Sequence, residues 1–128
     1  MSAGALFAVG LGAVLGAYAR WGLAGLLNAR LLHIPLGTLV ANALGGYIVG
    51  LAIAYFGHQP NASPEVRLFL ITGFLGALTT FSTFSAESVQ LMMRGEYAWA
   101  LSHVVLHLGS SLVLTVAGIY SMNYLMRA

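Results

Sequence analysis

Residues 73–88, GFLGALTTFSTFSAES, set six hydroxyl side chains (Thr79, Thr80, Ser82, Thr83, Ser85 and Ser88) into ten positions of an otherwise apolar segment. Gly73 and Gly76 precede the cluster, and Phe81 and Phe84 sit three apart inside it. A lipid-facing helix gains nothing from such a run, because buried hydroxyls without partners cost free energy. Polar or irregular backbone at membrane depth survives where it faces protein or lines a watery cavity. Broken, glycine-interrupted membrane helices place freed carbonyls and amides at ion sites. Against that stands a plainer possibility, in which Ser and Thr bond back to their own helix and glue it to a neighbour. The stretch leaves both open.

The rest of the chain places this stretch in a membrane. It has 128 residues, of which 59% are hydrophobic and only 6% charged. Its mean hydropathy of +0.89 lies well above the soluble range. Five arginines and three glutamates cannot cover a soluble surface, so the chain reads as an integral membrane protein. There is no lysine, aspartate or cysteine, which excludes disulfides. A dispersed net charge of +2 argues against nucleic-acid binding. Residues 1–19 have no basic leader region, and the apolar run continues past any cleavage site, so a retained first span is expected.

A helical span needs about 20 apolar residues. Four fit: Met1 to about Leu27, about Leu36 to Phe56, about Glu65 to Met93, and about Tyr97 to Met126. The links are Asn28–Pro35, the turn-rich His58–Pro64, and Arg94-Gly95-Glu96. Ser63 is expected to cap the third span, with Pro64 at its first position and Glu65 beside the dipole. The hydroxyl stretch should break that span in the middle of the membrane. Residues 1–128 form one all-α domain on this basis, with Gly12/Gly16 and Gly46/Gly50 as sites of close helix packing.

With four spans, both termini and the 58–64 loop share one side. Arg67 and Arg127 lie there, against Arg30 and Arg94 on the other, with Arg20 inside the first span. Charge therefore gives almost no instruction on orientation, which favours insertion both ways and antiparallel pairing of two copies.

Several side chains could carry chemistry. Arg20 either snorkels to the interface or draws anions to a pore mouth. Asn42, with Thr38 one turn earlier, offers an amide that donates to an anion or bonds across helices. Phe81 and Phe84 have positive ring edges that attract a small anion weakly. His103 and His107 have a spacing compatible with metal ligation, but only Glu87 offers a third ligand. They fit better in a polar stripe with Ser110, Ser111 and Thr115 facing the bundle. Glu87 is expected to pair with a histidine or to hydrate a vestibule. No nucleophile elbow, phosphate loop or nucleotide fingerprint is present, and nothing reads as an enzyme active site.

GTLVAN at 37–42 with GG at 45–46, TGFLGALTTFSTFSAE at 72–87, Arg20-Trp21 and GSS at 109–111 resemble the Fluc (CrcB) fluoride channels over all four spans. That resemblance implies a passive, fluoride-selective channel in the cell (inner) membrane of a microbe, through which cytoplasmic fluoride leaves and its toxicity falls. It also implies an antiparallel, dual-topology homodimer with two pores and a structural sodium ion at the dimer interface. By the same resemblance Phe81 and Phe84 are the pore phenylalanines and Asn42 the pore asparagine. Ser111 belongs to a polar track, with Thr38, Ser82, Ser85 and Thr115 as further pore hydroxyls. Arg20 and Glu87 line the vestibule, and the backbone carbonyls of Gly76 and Thr79 hold the sodium. Two rival readings fit less well. A small multidrug transporter needs a glutamate in the first span, which this chain lacks. A non-conducting lipid-packing subunit leaves the hydroxyls around Phe81 and Phe84 unexplained.

Overall fold

A computed structural model describes residues 1–128 as helices joined by short links. Helix α1 (Ala3–Leu27) starts at Ser2, whose Oγ accepts from the Ala5 amide at 3.1 Å. A 3₁₀ turn (Asn28–Arg30) leads to α2 (Leu36–His58). Asn28 Oδ1 accepts from the Gly37 amide at 2.7 Å, which supplies one of the acceptors that a helix start lacks. The third span opens with α3 (Pro64–Arg67), runs as a π-helix over Leu68–Leu75, and returns to α-helix as α4 (Gly76–Leu78). After the break come α5 (Phe81–Met93) and α6 (Tyr97–Arg127). Four helical stretches, Ala3–Arg30, Leu36–His58, Pro64–Met93 and Tyr97–Arg127, are long and apolar enough to cross a membrane.

The expected starts and stops fall within a few residues of these bounds, because each span is a local apolar run closed by Pro, Gly or polar residues. Ser63 differs in detail. It stands at the cap position, but its side chain donates to Glu65 Oε2 at 2.7 Å instead of accepting from the helix. Gly95 has φ +75°, a conformation that L side chains rarely adopt, so the α5–α6 turn can reverse in three residues.

The ends of the spans meet as an up-and-down bundle requires. His33 Nδ1 lies 2.8 Å from Glu96 Oε2, joining the 28–35 link to the α5–α6 turn at one end. His58 Nε2 lies 2.9 Å from Asn123 Oδ1, joining the ends of α2 and α6 at the other.

Glycines set the helix spacing. A Cβ on Gly50 would overlap the Thr115 carbonyl, and one on Gly118 would overlap that of Tyr47, so α2 and α6 run in backbone contact. Thr115 Oγ1 bonds the Gly46 carbonyl at 3.0 Å across the same seam. On the other side, Gly12 and Gly16 of α1 meet the carbonyls of Phe69 and Phe74. Only 24 of 128 residues are buried, and most of the α1 and α6 surface is exposed and apolar. A bundle this thin has its apolar exterior in lipid or against another chain, so this is a multi-pass membrane protein.

Candidate functional site

The break has a local cause and a tertiary one. Thr79 (φ −83°, ψ 156°) and Thr80 (φ −151°, ψ 118°) are extended, while the residues on both sides are helical. Thr80 Oγ1 accepts from the Thr83 amide at 3.1 Å, an N-cap that starts α5 afresh. Asn42 of α2 closes the gap from outside. Its Oδ1 accepts from the Thr80 amide at 2.7 Å, and its Nδ2 donates to the Thr80 carbonyl at 3.1 Å. A backbone N–H can only donate, so this pair fixes which way the Asn42 amide points. Its second N–H then faces His107 Nδ1 at 3.0 Å, making Nδ1 the acceptor and leaving the ring proton on Nε2.

Rerouting these amides frees carbonyls. In a continuous helix the Thr80 amide would bond the Gly76 carbonyl, and the Thr83 amide that of Thr79. Both amides bond side chains instead, so Gly76 and Thr79 keep carbonyl oxygens without their helical partners. The Ala77 carbonyl accepts from Arg20 Nε at 2.9 Å. Arg20 thus turns inward to the break and does not snorkel outward, because a freed carbonyl at depth offers it an acceptor.

A groove of about 410 Å³ opens at the break, lined by Asn42, Gly76, Thr79, Phe81, Phe84 and Ser111 among others. None of its lining residues is Arg, Lys, Asp or Glu. Phe81 is 74% exposed, whereas Phe84 is buried. Their ring centroids lie 5.5 Å apart. His103 stacks on Phe84 at 5.6 Å with an interplanar angle of 22°, so one face of Phe84 is covered. Ser111 Oγ makes a long 3.4 Å contact to the Asn42 carbonyl, while Thr115 divides its bonds between Gly46 and Ser111.

The remaining candidates fall into two groups. Ser82 is exposed beside Thr80, with the two hydroxyl oxygens 3.3 Å apart, and Ser85 is half-buried one turn into α5. Thr38 is buried and donates to Glu87 Oε1 at 2.7 Å. Glu87 also floors a smaller pocket of about 160 Å³ under the 28–35 link, with His33, Gln90 and Arg94 around it. The expected pairing of Glu87 with a histidine is present in outline, since its Oε2 lies 3.3 Å from His103 Nε2.

The structure adds two participants to the expected set. Thr80 acts through its backbone, and His107 lines the groove itself and bonds Asn42 there. A Thr just before a fresh helical run is an N-cap signal, but a bond between residues 38 apart leaves no mark in the local sequence.

Comparison with known proteins agrees in family and in coverage. The family model described as CrcB-like protein, Camphor Resistance (CrcB), matches residues 7–119. The fluoride-specific ion channel FluC of Pseudomonas putida (strain W619) is 55% identical over 120 residues, which cover 94% of this chain and 94% of that protein. Its counterpart in Nitrosomonas europaea is 54% identical over 119 residues, covering 93% of this chain and 94% of that protein. That of Nitrosospira multiformis is 54% identical over 121 residues, with 94% of each chain covered.

Proposed function

The chain belongs to the CrcB-like family, and on that premise we propose that it is a passive, fluoride-specific channel through which cytoplasmic fluoride leaves a microbial cell. The observation that carries this is the uncharged groove in which Asn42, Phe81, Phe84 and Ser111 converge on a helix break. Fluoride holds its hydration water tightly, so a conducting path must offer replacement donors without a charge that would trap the ion. Asn42 holds both its N–H groups in bonds, one to Thr80 and one to His107. Fluoride passing the groove takes over the His107 bond, while Thr80 keeps the amide aimed. His103 covers one face of Phe84, and the positive ring edge is the part of Phe84 that attracts the ion. Ser111, Ser82, Ser85 and Thr115 supply hydroxyls along the path, and Thr38 and Glu87 lie towards the pocket under the 28–35 link. Arg20 lends positive charge beside the break without entering the groove lining.

The working unit is an antiparallel, dual-topology homodimer with two pores in the inner membrane. The even split of arginines, the small buried fraction and a groove open on one side support this. The freed carbonyls of Gly76 and Thr79, both groove residues, suit a hard monovalent cation, which takes neutral oxygen dipoles and needs no carboxylate. Sodium held there by both copies would fix the two breaks against each other. Replacing sodium by a bulky organic cation is therefore expected to shift the protein from dimer towards monomer in detergent and to slow flux. An unchanged dimer with unchanged flux would remove sodium from this scheme.

Phe81 separates function from folding. Because its ring is mostly exposed, Phe81→Ile should leave the melting temperature and elution volume unchanged. Fluoride efflux from proteoliposomes should nevertheless fall by roughly tenfold or more, since an aliphatic side chain lacks the positive ring edge. Wild-type efflux from a well-folded variant would exclude the phenylalanine edge from the path.

A further inference from the structure

Beside the groove, which His107 also lines, Glu87, His103 and His107 bring one ligand atom each to within 4.8 Å of one another. His103 and His107 are fully buried on α6, and their ring centroids lie 4.3 Å apart. Four polar atoms in the cluster, Glu87 Oε2, both nitrogens of His103 and His107 Nε2, make no hydrogen bond, although Glu87 Oε2 and His103 Nε2 face each other at 3.3 Å. So many orphaned buried atoms in one place are costly, and all are of the types that coordinate metals. We propose that Glu87 Oε2, His103 and His107 Nε2 bind a divalent transition metal, Zn²⁺ being the representative, and that the loaded site opposes ion passage.

The geometry suits that chemistry. Two ligands about 2.0–2.1 Å from a tetrahedral metal stand about 3.3–3.4 Å apart. The Glu87 Oε2 to His103 Nε2 distance is 3.3 Å. Two imidazoles and one carboxylate make a borderline-soft set that prefers Zn²⁺, Cu²⁺ or Ni²⁺ to Mg²⁺ or Ca²⁺. Supporting contacts are in place. Thr38 donates to Glu87 Oε1, which leaves Oε2 free for the metal. Entry is from the pocket under the 28–35 link, where the Glu87 side chain is 14% exposed. Three protein ligands leave a fourth position for water or another small ligand.

Loading is incompatible with the Asn42–His107 bond. His107 Nδ1 accepts from Asn42, so Nε2 carries the ring proton. A metal takes the Nε2 lone pair only when that proton moves to Nδ1. Nδ1–H then faces the Asn42 NH₂, two donors with no acceptor between them. The contact breaks, and the repulsion turns the N–H that fluoride would take over away from His107 and the groove, against the hold of Thr80. No electron transfer is involved.

Co²⁺ tests the site directly, because in a low-symmetry nitrogen and oxygen site it gives visible absorption that Zn²⁺ quenches by displacement. The probe is added to the purified full-length protein in detergent. A single saturable Co²⁺ per chain is expected, lost in Glu87→Gln, His103→Gln and His107→Gln variants that elute as wild type, and kept in His33→Gln/His58→Gln. Thr38→Val, which removes only the orienting bond, should weaken binding by roughly tenfold or more. If the ligand variants do not fold, protection of His103 and His107 from imidazole acylation by Zn²⁺ in the wild type, read by peptide mass, decides the same point. Absent binding, or binding that follows His33 or His58, overturns the site. In liposomes, Zn²⁺ should slow wild-type fluoride release and a chelator should restore it. Binding without slowing overturns the inhibitory role, and binding persists as a readout even if the liposomes release no fluoride.

Discussion

Asn42→Ala is expected to reduce fluoride efflux to near the protein-free background and to destabilise the fold at the same time. The alanine removes both bonds to Thr80, stranding an amide and a carbonyl that lie under cover at the break. Each stranded group costs about 1–3 kcal/mol. It also removes the donor that fluoride, on the proposed path, would take over from His107. The lowered melting temperature and the lost flux therefore come from different atoms of one side chain. Asn42→Ala run beside Phe81→Ile resolves them, since only the former should melt early. A stable Asn42→Ala protein with normal efflux would show that Thr80 holds its conformation unaided and that the amide is outside the path.

Gly50→Val should be the most damaging change at a residue that does not itself line the groove. Its Cβ would overlap the Thr115 carbonyl and come within 3.0 Å of the Ile119 amide, both backbone atoms of α6. No rotamer change relieves a clash with backbone, so α2 and α6 must separate. Overpacking alone costs about 1–3 kcal/mol or more, and separation also loses the Thr115–Gly46 bond. Misassembly, seen as aggregation on size exclusion, is the expected outcome. Gly57→Val is the control, because nothing lies within 4 Å of a Cβ there. Similar behaviour of the two variants would mean that the seam is not the determinant of packing.

These contrasts mark what the amino-acid sequence could reveal. The four spans are legible because each is a continuous apolar run with punctuation at its ends. The break between Leu78 and Phe81 is legible too, since glycines and hydroxyls gather there. The π-helix over Leu68–Leu75 is not, because LFLITGFL reads as any apolar helix and carries no marker of an i to i+5 pattern. Nor is the direction of Arg20. Snorkelling and inward bonding are equally consistent with its position, and the choice is made by a carbonyl 57 residues away. The same limit applies to the metal-ligating trio. Helical spacing places His103 and His107 on one face, but not what α5 sets opposite them. Once α5 restarts at Thr80, its register carries Glu87 to that face, so the break that shapes the groove also assembles the cluster.

The break also explains why so polar a stretch persists at membrane depth. Its hydroxyls do not simply bond back along one helix. Ser88 does so, to the Phe84 carbonyl at 2.8 Å, and Thr79 does so to Leu75. Thr80, by contrast, caps a new helix and presents its backbone to another. Back-bonding along one helix and a capped break that faces another helix occur side by side within ten residues.

The most direct measurement is passive efflux from proteoliposomes of the purified protein, with fluoride and chloride followed by ion-selective electrodes in sodium buffer and without a proton gradient. Rapid fluoride release with chloride retained is the expected result. Release of both ions at similar rates, or of neither from protein shown to be folded, would contradict a fluoride-specific channel.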